Sequence, residues 1–170
     1  YIACHAPMYV DKFDILGPAK HGATFVLNSP WSVEELDGAL PGSMKRAIAE
    51  KELEFYIIDA TEIAKKAGLG RRINMIMQSV FFNLSGVIPP EEATRLLKEE
   101  INVLYGKKGA EVVALNEAGV DAGTDPSLLQ KVEVPAAWAT ATLEEHHLTG
   151  NTFVDNIMRP ALNMKGDDLP

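Results

Sequence analysis

One stretch decides the fold, Gly22-Ala23-Thr24-Phe25-Val26-Leu27-Asn28-Ser29. Its apolar middle follows a glycine typical of turns, which predicts a buried β-strand over residues 23–28. Soon after it, Ser32-Val33-Glu34-Glu35 matches a capping box, in which a serine hydroxyl and a glutamate carboxylate each satisfy a backbone N–H at the start of a helix. A strand that leads into a helix is the unit from which parallel sheets are built.

The same alternation continues on both sides of this strand. Two further strands are predicted, over residues 1–5 and 53–59. Helical segments are predicted over residues 7–20 (a short helix and a turn), from near Ser32 to the break at Pro41-Gly42, over 44–51 with Ser43 as cap, and over 61–67 with Gly68 at the C-cap position. The order β-α-β-α-β-α predicts parallel neighbours joined by right-handed crossovers.

The second half of the chain is predicted to be mainly helical. Helices are expected over residues 73–84, 91–105 and 108–120, and the first is apolar on all sides, which is typical of a buried helix. The remaining features are shorter: a helical piece over 126–131, an extended stretch over 132–135, an aperiodic arm over 136–150, a last helix capped by Asn151 and stopped or kinked near Pro160, and a linker over 165–170.

These patterns predict an α/β fold with three layers, α/β/α, around a mostly parallel, Rossmann-like sheet, followed by a helical C-terminal part. We expect residues 1–135 to form the α/β domain and residues 136–170 to form a C-terminal arm and a linker toward the next domain. The chain opens at Tyr1, directly on an apolar run, and three strands are few for such a sheet. We therefore expect a segment of a longer chain that lacks its first strands.

Composition and charge exclude several classes of protein. The chain has 170 residues, of which 46% are hydrophobic and 24% charged, as in ordinary globular domains. Its formal net charge of −8 argues against binding to nucleic acid or to an anionic membrane surface. No apolar run approaches the roughly 20 residues of a membrane helix, and no signal peptide is evident. The single cysteine, Cys4, excludes an internal disulfide and a self-contained iron–sulfur cluster, and it favours a cytoplasmic location with reduced thiols.

Polar residues follow the predicted strands at their carboxyl ends, where open parallel sheets bind ligands. Asn28 and Ser29 can hydrogen-bond a ligand there, and the free N–H groups of the helix near Ser32 can hold a phosphate or a carboxylate. The alternative is that Asn28 and Ser29 only shape the turn while Ser32 caps the helix. His5 follows the first strand and is either a structural histidine or a base or metal ligand, with no clear second ligand nearby.

A second pair of candidate residues lies on the apolar helix. Asn74 and Gln78 are four residues apart, so they share one helix face. Because buried amides need hydrogen-bond partners, this face either meets a ligand or ties the helix to the sheet. No catalytic residue and no metal site is assigned: the adjacent His146 and His147 would point to different sides of a helix.

Four strings of residues carry a resemblance to a known family. They are Tyr1-Ile2-Ala3-Cys4-His5-Ala6-Pro7, Gly22-Ala23-Thr24-Phe25-Val26-Leu27-Asn28-Ser29-Pro30-Trp31, Leu40-Pro41-Gly42-Ser43-Met44-Lys45-Arg46-Ala47-Ile48-Ala49 and Gly68-Leu69-Gly70-Arg71-Arg72-Ile73-Asn74-Met75-Ile76-Met77-Gln78. In this order they closely resemble the gamma-type domain of pyruvate:ferredoxin (flavodoxin) oxidoreductase, and the match spans nearly the whole chain.

The resemblance implies a parent enzyme that decarboxylates pyruvate on thiamine diphosphate with Mg²⁺, passes electrons through [4Fe-4S] clusters to ferredoxin or flavodoxin, and transfers the acetyl group to coenzyme A. It implies that this segment helps to enclose the active site near coenzyme A and holds none of these cofactors alone. Its partners would be the other domains or subunits of the same oxidoreductase, which is expected to be a homodimer.

Two hypotheses follow for the segment itself. The first is an enzyme component next to coenzyme A, with Asn28, Ser29, Asn74 and Gln78 facing the ligand. The second is a purely structural module, without ligand contact, whose helix over residues 73–84 packs on other domains or on a second protomer. A free-standing nucleotide-binding protein is disfavoured, because Gly68-Leu69-Gly70 follows a helix and not a strand.

Overall fold

The computed structural model describes residues 1–143, 149–162 and 166–169. In these residues the centre of the molecule is a four-stranded sheet in the order β1-β2-β3-β4. Strands β1 (Ile2–Cys4), β2 (Thr24–Asn28) and β3 (Glu54–Ile58) are parallel, whereas β4 (Gln130–Lys131) runs antiparallel to β3. The predicted mostly parallel sheet is confirmed.

The first face of the sheet is covered by the two crossovers between the parallel strands. The β1–β2 connection contains a 3₁₀ turn (Pro7–Tyr9), and the β2–β3 connection contains helices α1 (Leu36–Ala39) and α2 (Gly42–Glu50). Phe25 and Phe55 are register partners on this face, and their stacked rings lie 5.1 Å apart. Fully buried side chains of both helices pack against them, so a single apolar core joins the sheet to this layer.

The second face is covered by the helices that follow β3. These are α3 (Ala60–Lys66), α4 (Asn74–Ser85), α5 (Pro90–Tyr105) and α6 (Ala110–Thr124). Val26 and Ile58 alternate with the residues of the first face and pack against α3 and α4. The three-layer α/β/α arrangement is therefore confirmed. No helix in the described residues combines the length and apolarity that crossing a membrane requires.

Helix α4 differs from the prediction that it is buried on all sides. It buries one face, represented by Ile76, Met77 and Val80, whereas Asn74 and Gln78 are exposed. The remaining apolar residues at its carboxyl end, Phe81 included, are only half-buried. The reason is that α4 lies in an outer layer, so only the face toward the sheet and α6 is enclosed.

Helices α4 and α6 approach each other closely because small residues line their contact. A methyl group at Gly123 would lie 2.6 Å from the carbonyl oxygen of Ile76 and 2.6 Å from Cβ of Ser79. The hydroxyl of Ser79 donates a hydrogen bond of 2.6 Å to the carbonyl oxygen of Val120. This contact requires glycine at position 123 on steric grounds.

Several predicted helix boundaries are wrong. The helix expected from near Ser32 begins at Leu36, because residues 32–35 close into a turn instead. Helix α2 begins at Gly42, so Ser43 lies inside it and is not its cap. Helix α6 runs from Ala110 to Thr124 and not from 108 to 120.

The predicted helical piece over residues 126–131 is also wrong. The N–H and hydroxyl of Ser127 both donate to Oδ1 of Asp125, at 2.8 and 2.6 Å, and this local turn replaces a further helical turn. The chain then enters β4, and the N–H of Val132 donates to the carbonyl oxygen of Phe55 at 2.8 Å. Pairing with β3 therefore overrides any local helical preference.

The predicted C-terminal arm begins with a segment that packs on the first layer. Residues Ala136–Thr140 form a 3₁₀ helix in which Trp138 is 2% exposed and lies against Phe55. The indole N–H of Trp138 donates to Oδ1 of Asp37 at 2.8 Å. A domain division at residue 135 stays a prediction, but the chain continues to contribute to the first core beyond that point.

The described segment 149–162 confirms one predicted cap. Oδ1 of Asn151 accepts hydrogen bonds from the N–H groups of Phe153 and Val154, at 3.0 and 3.3 Å. A π-helical turn (Val154–Met158) precedes α7 (Arg159–Leu162), and it coincides with the expected irregularity near Pro160. The predicted linker contains a 3₁₀ turn (Gly166–Asp168), whereas its residues 165 and 170 and the pair His146 and His147 lie outside the described residues.

Substitution of Gly123 tests the close contact between α4 and α6. We expect Gly123→Ala to lower the free energy of unfolding by about 1–3 kcal/mol, because the added methyl group meets backbone. Gly106→Ala is the matched control, since nothing lies within 4 Å of that position and its φ is −53°. Urea unfolding followed by circular dichroism measures both, and equal stability of the two variants would contradict the close contact.

The burial of Cys4 predicts slow thiol chemistry. Its side chain is 4% exposed, its thiol donates to the carbonyl oxygen of Ala6, and burial raises its pKa. At pH 8 the thiol therefore stays mostly protonated and enclosed, and we expect iodoacetamide to react more than about tenfold more slowly than with the urea-unfolded chain. Mass spectrometry of timed reactions measures the two rates, and similar rates would show that β1 is not held in the sheet.

Candidate functional site

A cleft of about 640 Å³ opens beyond the carboxyl end of β3. One wall is the turn after β2, residues 29–32, and the opposite walls are formed by α3, α6 and residues 127–130. This is the edge of an open parallel sheet at which ligands bind. A larger cavity of about 770 Å³ lies between residues 10–16 and α2, and its charged lining residues balance as three acids and three bases.

Asn28 connects the ends of three strands beside this cleft. It is 2% exposed, and its side-chain NH₂ donates to the carbonyl oxygen of His5 at 2.9 Å and to the hydroxyl of Thr61 at 3.0 Å. Its Oδ1 accepts the N–H of Ala60 at 3.0 Å. The amide thus bonds to the residue after β1 and to the first turn of α3, and both of its N–H donors are used within the chain.

Ser29 lines the cleft but is also engaged by the chain. Its hydroxyl donates to the carbonyl oxygen of Trp31 at 2.9 Å and accepts the N–H of Trp31 at 3.1 Å. Its own N–H donates to the carbonyl oxygen of Ile58 at 3.0 Å. These bonds hold the turn after β2 closed, and Trp31 of this turn lines the cleft.

Ser32 donates hydrogen bonds to two carboxylates of the chain itself, those of Glu35 and Glu34. The N–H of Ser32 donates to Oε2 of Glu35 at 2.8 Å, which is half of the predicted capping box. Glu34 accepts hydrogen bonds from its own N–H and from the Ser32 side chain, and these lower its pKa. Of the N–H groups near Ser32 that the sequence offered to a phosphate or carboxylate ligand, that of Ser32 itself is therefore occupied from within the chain.

At the start of α3, side chains of the chain itself also accept backbone N–H groups. Oδ1 of Asp59 accepts the N–H of Glu62 at 2.8 Å, and the N–H of Ala60 is bonded to Asn28. Glu62 in turn forms ion pairs with Lys65 and Lys66, with N–O distances of 3.5 and 3.8 Å. Asp59, Glu62 and Lys66 all line the cleft, so its described charged residues sum to −1.

The remaining surface of the cleft is largely apolar. Ile63 of α3 and two alanines of α6, Ala118 and Ala122, face it together with Leu128, which is 37% exposed. Gln130 of β4 adds an exposed amide at the rim. The sequence pattern had not singled out these residues. Residues 59, 62, 63, 66 and 67 have the spacing of one helix face. This spacing directly after β3 is the sequence signal from which the α3 side of the cleft could have been predicted.

The four predicted ligand-facing residues are not brought together. Ser29 lines the cleft and Asn28 precedes it, whereas Asn74 and Gln78 lie on the exposed face of α4 and do not line the cleft. Their contact with a ligand stays a prediction. His5 is exposed, and no group of three or more His, Cys, Asp or Glu among residues 1–143, 149–162 and 166–169 could hold a metal ion.

Gly68 ends α3 as predicted. Its φ is +75°, its N–H donates to the carbonyl oxygen of Lys65 at 3.2 Å, and the next N–H, of Leu69, donates to that of Ala64 at 2.8 Å. This paired pattern is a Schellman motif, in which glycine takes the left-handed conformation. The glycines at positions 68 and 70 therefore shape the end of a helix, and Arg71 and Arg72 beside them are exposed.

Comparison with known proteins places this geometry in context. The family model described as pyruvate ferredoxin/flavodoxin oxidoreductase matches residues 1–125. Over 171 residues the chain is 50% identical to pyruvate dehydrogenase [NADP(+)], mitochondrial, of Euglena gracilis, which covers 100% of this chain and 10% of that protein. It is 45% identical to pyruvate:ferredoxin oxidoreductase of Moorella thermoacetica (99% and 14%) and 42% identical to pyruvate-flavodoxin oxidoreductase of Enterobacter agglomerans (100% and 14%).

The chain thus spans between a tenth and a seventh of the length of these curated relatives. Among solved structures, pyruvate oxidoreductase subunit PORC from Thermotoga maritima superposes with a TM-score of 0.58 at 14% identity. That superposition covers 77% of this chain and 64% of the other. The likeness shows a shared fold.

Replacement of Asn28 tests its role at the strand ends. We expect Asn28→Ala to lower the free energy of unfolding by about 2–4 kcal/mol, because it leaves the buried N–H of Ala60 without its partner. Asn74→Ala is the control and should change stability by less than about 0.5 kcal/mol, because Asn74 is exposed. Urea unfolding compares the two, and an unchanged stability of Asn28→Ala would mean that the strand ends do not depend on this amide.

Proposed function

The chain belongs to the pyruvate ferredoxin/flavodoxin oxidoreductase family, and we propose that it is one domain of an enzyme that oxidatively decarboxylates pyruvate to acetyl-CoA and CO₂. The observation that carries this proposal is the match of the family model to residues 1–125, together with relatives of 42–50% identity whose names describe pyruvate oxidation. We propose ferredoxin or flavodoxin as the electron acceptor, with NADP⁺ as the alternative that the name of the Euglena relative suggests.

The domain's own part in this reaction is to help enclose the active site near coenzyme A. The cleft beyond β3 supports this role, because it has apolar walls, polar residues at its rim and a volume of about 640 Å³. Its wall after β2 is held by the bonds that Asn28 and Ser29 make within the chain. We keep Asn28, Ser29, Asn74 and Gln78 as proposed ligand-facing residues, with Ser29 the one that lines this cleft.

The cofactors of the proposed enzyme would be held by other domains. Thiamine diphosphate, with Mg²⁺, supplies the carbanion chemistry of decarboxylation when bound, and [4Fe-4S] clusters carry the electrons. The described residues do not fit these groups: the only cysteine in the sequence, Cys4, is buried, and the amides at Ser32 and Glu62 that could meet a phosphate are occupied. We therefore expect the 170-residue chain alone to show no turnover.

The proposed partners are the other domains or subunits of the same oxidoreductase, which would form a homodimer, and the electron acceptor protein. We propose a cytoplasmic location, based on the single cysteine and the absence of a disulfide partner for it. The Euglena relative is named as mitochondrial, and a mitochondrial location is the alternative for this chain.

A second candidate function is a purely structural module between domains or protomers. The observation in its favour is a set of exposed apolar side chains on the last described helical segment, Phe153 at 61%, Met158 at 44% and Leu162 at 61%. None of them belongs to the apolar cores of the described residues. In this alternative the domain contributes contacts to assembly and touches no ligand.

An activity assay of the intact natural protein tests the proposed reaction. With pyruvate and coenzyme A present, we expect acetyl-CoA and CO₂ to form in equal amounts while ferredoxin or flavodoxin is reduced. Loss of product when coenzyme A or the acceptor is omitted is the control. Absence of pyruvate-dependent reduction of ferredoxin, flavodoxin and NADP⁺ alike would contradict the proposed reaction.

A substitution in the cleft distinguishes the proposed role near coenzyme A from the purely structural role of the domain. Ala118 is exposed and faces the cleft, so Ala118→Trp should fill part of it and raise the KM for coenzyme A about tenfold or more, without loss of assembly. Ala110→Trp, on the same helix and about 12 Å away, is the matched control. An unchanged KM in Ala118→Trp would favour the structural module, as would loss of assembly on Phe153→Lys with normal kinetics of the residual dimer.

A further inference from the structure

We draw no further inference here: the strongest candidate, the outer edge of strand β1, which among the described residues pairs only with β2 and adjoins the contact between the rings of Tyr1 and Phe81, carries no proposal because nothing in the structure shows what covers it.

Discussion

The carboxyl edge of this sheet depends on the side-chain amide of Asn28. The residue is buried, and its three hydrogen bonds reach His5, Ala60 and Thr61, which lie 23 to 33 residues away in the sequence. Each bond contributes about 1 kcal/mol net, but a buried group left without its partner costs more than that. The position of β1 relative to β2 and the start of α3 are thus coupled through one amide, and the turn at Ser29 begins from this fixed point.

This constraint determines what the edge can bind. Many α/β sheets leave helix N–H groups free at this position and hold phosphates with them. Here groups of the chain itself accept three of these N–H groups: Asn28 and Asp59 accept those of Ala60 and Glu62 at α3, and Glu35 accepts that of Ser32 before α1. What remains is a cleft with apolar walls and a small negative charge. A cleft of this kind offers apolar contact to a neighbouring group, and its described backbone donors at Ser32 and Glu62 are already used within the chain.

Elements with local sequence signals could be predicted. Elements whose position depends on contacts with residues far away in the sequence could not. The three parallel strands and the Schellman end of α3 at Gly68 follow from short patterns. Strand β4 was missed because two residues have no period, and its place is set by pairing with β3. Trp138 was assigned to an aperiodic arm because its partner, Asp37, is 101 residues away. Helical spacing correctly placed Asn74 and Gln78 on one face of α4, but spacing cannot tell which face is enclosed.

The most direct measurement is a crystal or cryo-EM structure of the intact natural protein with coenzyme A bound. The proposed role predicts coenzyme A in contact with residues that line the cleft, Ser29 among them, with the bonds of Asn28 unchanged. Coenzyme A bound without contact to the cleft, or a cleft wall in which Asn28 no longer bonds to His5 and Ala60, would contradict the account.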